Sequence, residues 1–241
     1  MLFNPMQRFL LILCVSLLAS CAPGRSTIQT LNGTALATHR TVAILPFEVE
    51  QDRLLLDDIN YAGTDTTLAT QQRIKQEWAA RQQQKSRQIA YQLQELLYAQ
   101  LEAQKPSRGY TVQFQEVRET NRLLQQAGIT YENFPDHTLK EVQQALGVDA
   151  VLSGQTMLYQ AMPGIVGLAA RLMVNEPLVD NQQSIVPISQ ATTSLMLYDC
   201  RANQLAWRLD FERAGNVALN PARLAQDLVR AALSDFPYCR K

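Results

Sequence analysis

The chain has 241 residues, and its 22 Lys plus Arg balance 22 Asp plus Glu, so the formal charge at neutral pH is zero. No dense basic stripe interleaved with aromatics occurs, which removes the electrostatic footprint of a nucleic-acid binder; nucleic acid is not an expected partner. The length suits one domain of ordinary size once a short leader is set aside.

At the amino terminus Arg8 is the one charge in the first eight residues, and Phe9 to Ala19 is apolar except for Ser16. That is a signal peptide's shape, and the run is too short for a spanning helix, which needs about 20 apolar residues. Leu18-Ala19-Ser20-Cys21 closes it with small residues and resembles the bacterial lipobox. The resemblance implies diacylglycerol on the Cys21 thiol, cleavage just before it and further acylation of the new terminus. The alternative is an ordinary secretory signal with a chance cysteine. Two or more acyl chains anchor stably where one does not, so the mature chain is expected on a membrane through lipid on Cys21. Ala22 rather than Asp follows the cysteine, and in lipoproteins of this kind Asp commonly marks retention in the inner membrane. The expected location is therefore the outer membrane, facing the periplasm.

The expected organisation is a signal at 1–20, a flexible tether at 21–40, and a single domain at 41–241 with an apolar insertion near 160–190. The tether is read from its Ser, Thr, Gly and Asn, which cannot bury enough surface to order themselves. Thr41 to Val49 is a nearly continuous β-branched and apolar run, as a strand covered on both faces requires, with Pro46 at its margin. Glu50 to Thr67, with Asp57, Asp58 and Asp65, has loop chemistry.

Leu68 to about Gln104 contains no Gly or Pro and places Ile89, Leu93, Leu96, Leu97 and Leu101 on one face of a long helix. Its first half carries Ile74 and Trp78 amid polar residues; Trp78 either meets a partner or folds back on the domain. Tyr110 to Gln115 alternates like a half-buried strand. Two short helices follow, Glu119 to Ala127 ended by Gly128 and Asp136 to Leu146 capped by Asp136 and ended by Gly147.

Val148 to about Tyr159 reads as a covered strand. Ala191 to Asp199 and Gln204 to Glu212 form a hairpin around Cys200 to Asn203, and Asn220-Pro221 caps a closing helix with Leu224, Leu228, Ala231 and Ala232 inward. The order β-α-β-α-β-β-β-α describes an α/β (α+β) fold, a mixed sheet of about five strands covered by helices.

The strand "VAILPFE", a following helix, and later "LGVDAVLSGQ" with two more strands and a closing helix resemble a group of bacterial envelope proteins. They are the curli-secretion lipoprotein family, the amino-terminal domain of the Tol-Pal translocation protein and lipoproteins that activate penicillin-binding proteins. The resemblance spans roughly Thr41 to Phe236 and rests on short strand patterns. It implies an assembly or scaffold part rather than a catalyst, and it brings no catalytic residues with it.

The catalytic and ligand constellations point the same way. Neither a P-loop nor a G-x-G-x-x-G is present, and Ser153-Gly154 lacks the preceding glycine of a nucleophile elbow. His39 and His137 stand far apart with no Cys or carboxylate at ligand spacing, so no metal and no cofactor is expected. Asp57, Asp58 and Asp65 lack the alternation of an EF-hand loop and read as a solvated loop. After export, Cys200 and Cys239 are the pair left in an oxidising compartment, and a disulfide from the hairpin turn to the segment after the last helix is expected over two free thiols.

Ala161 to Val174, "AMPGIVGLAARLMV", is too short to span a membrane, and Ile165, Leu168 and Leu172 fit one helical face. It docks on its own domain, on another subunit or in the lipid interface. Where the curli-secretion family carries a membrane hairpin, this segment has helical rather than alternating period, which argues against a pore. Trp78, Ile165, Leu168 and Leu172 are the candidate interaction surface. The expected function is non-enzymatic: a lipid-anchored adaptor that engages another envelope protein or itself. A second reading is a binding module for a small ligand or cell-wall glycan, in a crevice at the strand ends near Phe47 to Asp65.

Overall fold

A computed structural model of the protein describes residues 24–53, 68–160 and 189–240. Cys21, the loop with Asp57, Asp58 and Asp65, and the segment carrying Ile165, Leu168 and Leu172 lie outside them. The elements in chain order are β1 (Arg25–Thr30), α1 (Gly33–Leu36), β2 (Thr41–Ile44), β3 (Glu48–Arg53), α2 (Leu68–Ala103), β4 (Gln113–Phe114), α3 (Val117–Gln126), α4 (Leu139–Leu146), β5 (Ala150–Gln160), β6 (Gln190–Asp199), β7 (Gln204–Ala214) and α5 (Pro221–Leu233).

Seven strands form one mixed sheet in the order β1-β7-β6-β5-β2-β4, and β3 also pairs with β5. Strands β2, β3 and β4 enter parallel ladders, while β5, β6, β7 and β1 form an antiparallel meander. The expected α/β class with a mixed sheet is what is found, with two more strands than the sequence indicated.

Both additions have a physical reason. The segment 21–40, read as a tether, contains β1, which pairs antiparallel with β7 from Arg25 opposite Glu212 to Thr30 opposite Trp207. β1 is mostly exposed and polar, and it joins through backbone bonds rather than burial; Ile28, opposite Leu209, is its one contact with the core. The other addition arises at Pro46, which has no N–H to give a ladder. There the run Thr41 to Val49 breaks into β2 and β3, both alongside β5.

The two sheet faces differ. On one, α2 supplies Ala90, Leu93, Leu97 and Leu101 and α5 supplies Leu224, Leu228, Val229 and Ala232 to a core with Trp207, Leu209, Leu195 and Leu152. On the other, α3 and α4 cover only the β2 and early β5 region, through Leu124, Val142, Leu146 and Val151. The helix ends follow sequence rules. Asn220 accepts from the N–H groups of Ala222 and Arg223 ahead of Pro221, and Gly147 closes α4 in the left-handed conformation. Asp136 does not cap α4 as expected. Thr138 does, in a reciprocal capping box with Glu141, and Asp136 lies in a 3₁₀ turn before it.

The expected Cys200–Cys239 disulfide is absent, and both are free thiols. Strand alternation explains this. Asp199 ends β6 pointing to the α2/α5 face beside His39, so Cys200 falls on the opposite face, buried with Leu45, Val148 and Val151. Cys239 packs against the α2/α5 core and bridges to Tyr110. The sheet stands between them.

Buried polar groups tie the ends of the chain to this frame. His39 Nδ1 lies 2.6 Å from the Tyr238 hydroxyl, and its Nε2 lies 3.4 Å from Asp199 Oδ1. Asp149 Oδ2 accepts from the N–H groups of Arg40 and Thr41 at 2.8 and 3.1 Å, and its other oxygen accepts from Arg201. Asp227 on α5 pairs with the largely buried Arg213 of β7, with Arg223 and Arg230 each 3.7 Å away.

Candidate binding cleft

The break at Pro46 creates the site. β4 ends at Phe114, so beyond it the chain from Ile44 to Val49 has no strand on its outer side among the described residues. Substitutes fill the gap. Gln94 Nε2 donates to the Ile44 carbonyl at 2.7 Å, the Phe47 N–H donates to the Ala90 carbonyl at 3.4 Å, and the Val49 N–H donates to the Tyr131 hydroxyl at 3.3 Å. The last two acceptors stand where a neighbouring strand's carbonyls would be.

Tyr131 is delivered by the α3–α4 connection, whose path is fixed locally. Gly128 takes positive φ, the Ile129 N–H returns to the Leu124 carbonyl, and the Asn133 side chain accepts from Thr130 N–H at 2.7 Å while donating to the Gly128 carbonyl at 2.9 Å. This rigid turn aims Tyr131 and Phe134 at the strand.

Between turn, strand and α2 lies a cleft of about 500 Å³. Its floor is Pro46 to Glu50 with Ser153; Gln83 and Tyr91 of α2 form one wall, and the segment Ile129 to Pro135 with His137 forms the other. The Tyr91 and Tyr131 rings are 6.3 Å apart and tilted by 47°. Burial raises the pKa of both hydroxyls, with Glu132 adding to it at each and Glu48 at Tyr131, so both are neutral phenols. Glu132 is held below the usual carboxylate range by its own backbone N–H and by Arg87, whose guanidinium donates to it at 3.0 Å. The volume falls in the range of small-ligand pockets, and the walls are aromatic.

The cleft opens onto the sheet face that no described helix covers. Glu48, Glu50 and Asp52 of β3 point there beside Gln155, Met157 and Tyr159 of β5, because the register sets Glu50 against Met157. Thr192, Ser194 and Met196 of β6 and Arg208, Asp210 and Glu212 of β7 continue the surface. Met157 is 51% exposed. Arg208, Asp210 and Ser194 are mutually hydrogen-bonded.

Of the expected surface residues, Trp78 lies on the first half of α2, 40% exposed, and is not among the residues lining the cleft. The crevice expected near Phe47 to Asp65 is present at its Phe47 to Glu50 end. Sequence reading missed Tyr91, Tyr131 and Phe134; the trace available was two aromatics in the otherwise polar Thr130-Tyr-Glu-Asn-Phe134 turn. Among the described residues no three His, Cys, Asp or Glu side chains converge as metal ligands, and no helix is long and apolar enough to cross a membrane.

No family model matches the chain, and no curated protein matches it in sequence. The chain has a distant likeness to several solved structures. PelC from Paraburkholderia phytofirmans, solved as a dodecamer, is 14% identical over 90% of this chain and 100% of its own, with a TM-score of 0.39. Lipoprotein GNA1162 from Neisseria meningitidis is 14% identical over 81% and 96%, with a TM-score of 0.39. The LpoB C-terminal domain from Salmonella enterica is 8% identical over 83% and 90%, with a TM-score of 0.29.

Proposed function

We propose that this chain is a lipid-anchored adaptor of the bacterial envelope, held on the outer membrane through Cys21 and engaging another envelope protein from the periplasmic side. The observation that carries the reading is the cleft opening onto a sheet face that no described helix covers, with an exposed Met157 at its centre. Methionine and tyrosine are enriched in protein interfaces, and a patch mixing them with acidic and hydroxyl groups suits a partner that docks and leaves.

A photo-reactive amino acid at Met157 in living cells tests this, with Arg118 on α3 as the control position. The expected result is one discrete adduct from Met157 and none from Arg118; no adduct from Met157 overturns the reading. The anchor is tested by palmitate labelling, which Cys21→Ala should abolish, and by fractionation, in which Ala22→Asp should move the protein from the outer to the inner membrane.

A second reading, a small-ligand or glycan module, is favoured by the inclined Tyr91–Tyr131 pair, since rings so placed can stack on a sugar. Saturable binding of peptidoglycan fragments without a Met157 adduct would replace the first reading with this one.

A further inference from the structure

We infer that the cleft receives an arginine or lysine side chain of the partner protein; the inference rests on the adaptor reading and names what that partner must carry. Among the described residues the cleft is lined by Glu48, Glu50 and Glu132 and by no lysine or arginine. Glu132 already pairs with Arg87, so its charge is answered within the protein. Glu48 and Glu50 are exposed and enter no ion pair among the described residues. Among the described residues, the floor of the site therefore carries an unbalanced negative charge.

The walls select among cations. The aromatic rings of Tyr91, Tyr131 and Phe134 line the walls, and a guanidinium or alkylammonium is attracted to such rings. The Tyr131 hydroxyl accepts from the Val49 N–H, which fixes the ring at the mouth. An anion would meet the two carboxylates, and a purely apolar group would desolvate them without return. The long aliphatic stem of Arg or Lys suits the remaining surface, Pro46, Leu124 and Ile129, while its head stays near Glu48 and Glu50. The source is taken as a protein side chain rather than a free amine because the cleft mouth is continuous with the sheet face that no described helix covers, which gives the flanking residues of a polypeptide somewhere to lie.

Fluorescence anisotropy of the full chain purified in detergent tests this, using labelled peptides Ser-Gly-X-Gly-Ser. With X as arginine, binding should saturate in the millimolar range or below. Citrulline, the same shape without charge, should bind at least about tenfold more weakly, as expected for losing a charge-assisted contact, and glutamate should not bind. The double variant Glu48→Gln/Glu50→Gln should lose a similar factor, and Tyr131→Leu should weaken binding as well. Because the carboxylates are exposed, the Gln variant should keep the parent's urea midpoint, which separates lost binding from lost fold.

Equal binding of the arginine and citrulline peptides, or an unaffected Gln variant, overturns the inference. Free agmatine binding as tightly as the arginine peptide overturns its source. If the Met157 adduct forms in cells but no peptide binds, this inference falls and the adaptor stands. If the arginine peptide binds and no adduct forms, the adaptor falls and takes the partner with it.

Discussion

Gly154 sits in β5 directly beneath the Phe47 ring, and the floor of the cleft depends on that contact. An added Cβ would come within 2.6 Å of the Phe47 Cζ and closer still to Cε1 and Cδ1. Phe47 is 1% exposed and packed in the α2/α5 core, so the ring has little room to yield. Gly154→Ala should thus behave as overpacking and destabilise by about 1–3 kcal/mol. In a domain of this size about 2 kcal/mol lowers the melting temperature by roughly 4–8 °C.

The contact itself is isolated by a double-mutant cycle. Phe47→Leu alone opens a void at a cost of about 1–2 kcal/mol, but it makes room for the new methyl group. The double variant should be more stable than the sum of the singles by about 1 kcal/mol or more. Urea denaturation followed by circular dichroism supplies all four values. If Gly154→Ala stays within about 0.5 kcal/mol of the parent, or the cycle is additive, the ring does not rest on Gly154 and the account of the floor is wrong.

Three further outcomes are expected. Asp227→Ala should cost about 3–5 kcal/mol, because it leaves Arg213 largely buried without its carboxylate and frees α5 from β7; a loss below about 1 kcal/mol in the same assay would show that the pair does not hold the helix. Burial works against the Asp149 charge, yet the N–H groups of Arg40 and Thr41 and the Arg201 guanidinium outweigh it and lower the pKa. The stability it gives is therefore full above the ordinary carboxylate pKa and lost as pH falls toward its own; Asp149→Asn should remove that part of the acid limb, and an unchanged pH profile would contradict the assignment. Finally, unreduced protein should alkylate at both Cys200 and Cys239 once unfolded. In the native state Cys200, whose thiol is pushed up to about 12 by burial, should stay unmodified at pH 8; peptide masses lacking the alkyl group after unfolding would indicate a bridge after all.

Much of the local structure is legible along the chain. The second half of α2 announces itself through Leu93, Leu97 and Leu101 at helical spacing, all three buried, and α5 through its Asn220-Pro221 start. Gly147 at positive φ and the turn before β7 follow from residue chemistry alone, since few side chains tolerate those conformations. One local reading failed because two capping candidates lay side by side. Asp136 looked like a cap, but Thr138 with Glu141 three residues on satisfies two backbone donors at once and wins.

The sequence by itself determines the alternation of elements, the class of the sheet, and the apolar stripes that must be buried, because periodicity and capping act within a few residues. Tertiary structure alone decides the rest. β1 carries no apolar signature and is ordered by the free edge of β7; Cys200 and Cys239 are parted because strand alternation at the end of β6 places Cys200 on the face opposite the α2/α5 core that holds Cys239. The cleft exists only where Pro46 turns the strand, β4 stops short, and Tyr131, 82 residues further along, takes the vacant hydrogen-bonding position at Val49. Such a site is set by register and by which element runs out first, and these are properties of long-range pairing that no window of sequence contains.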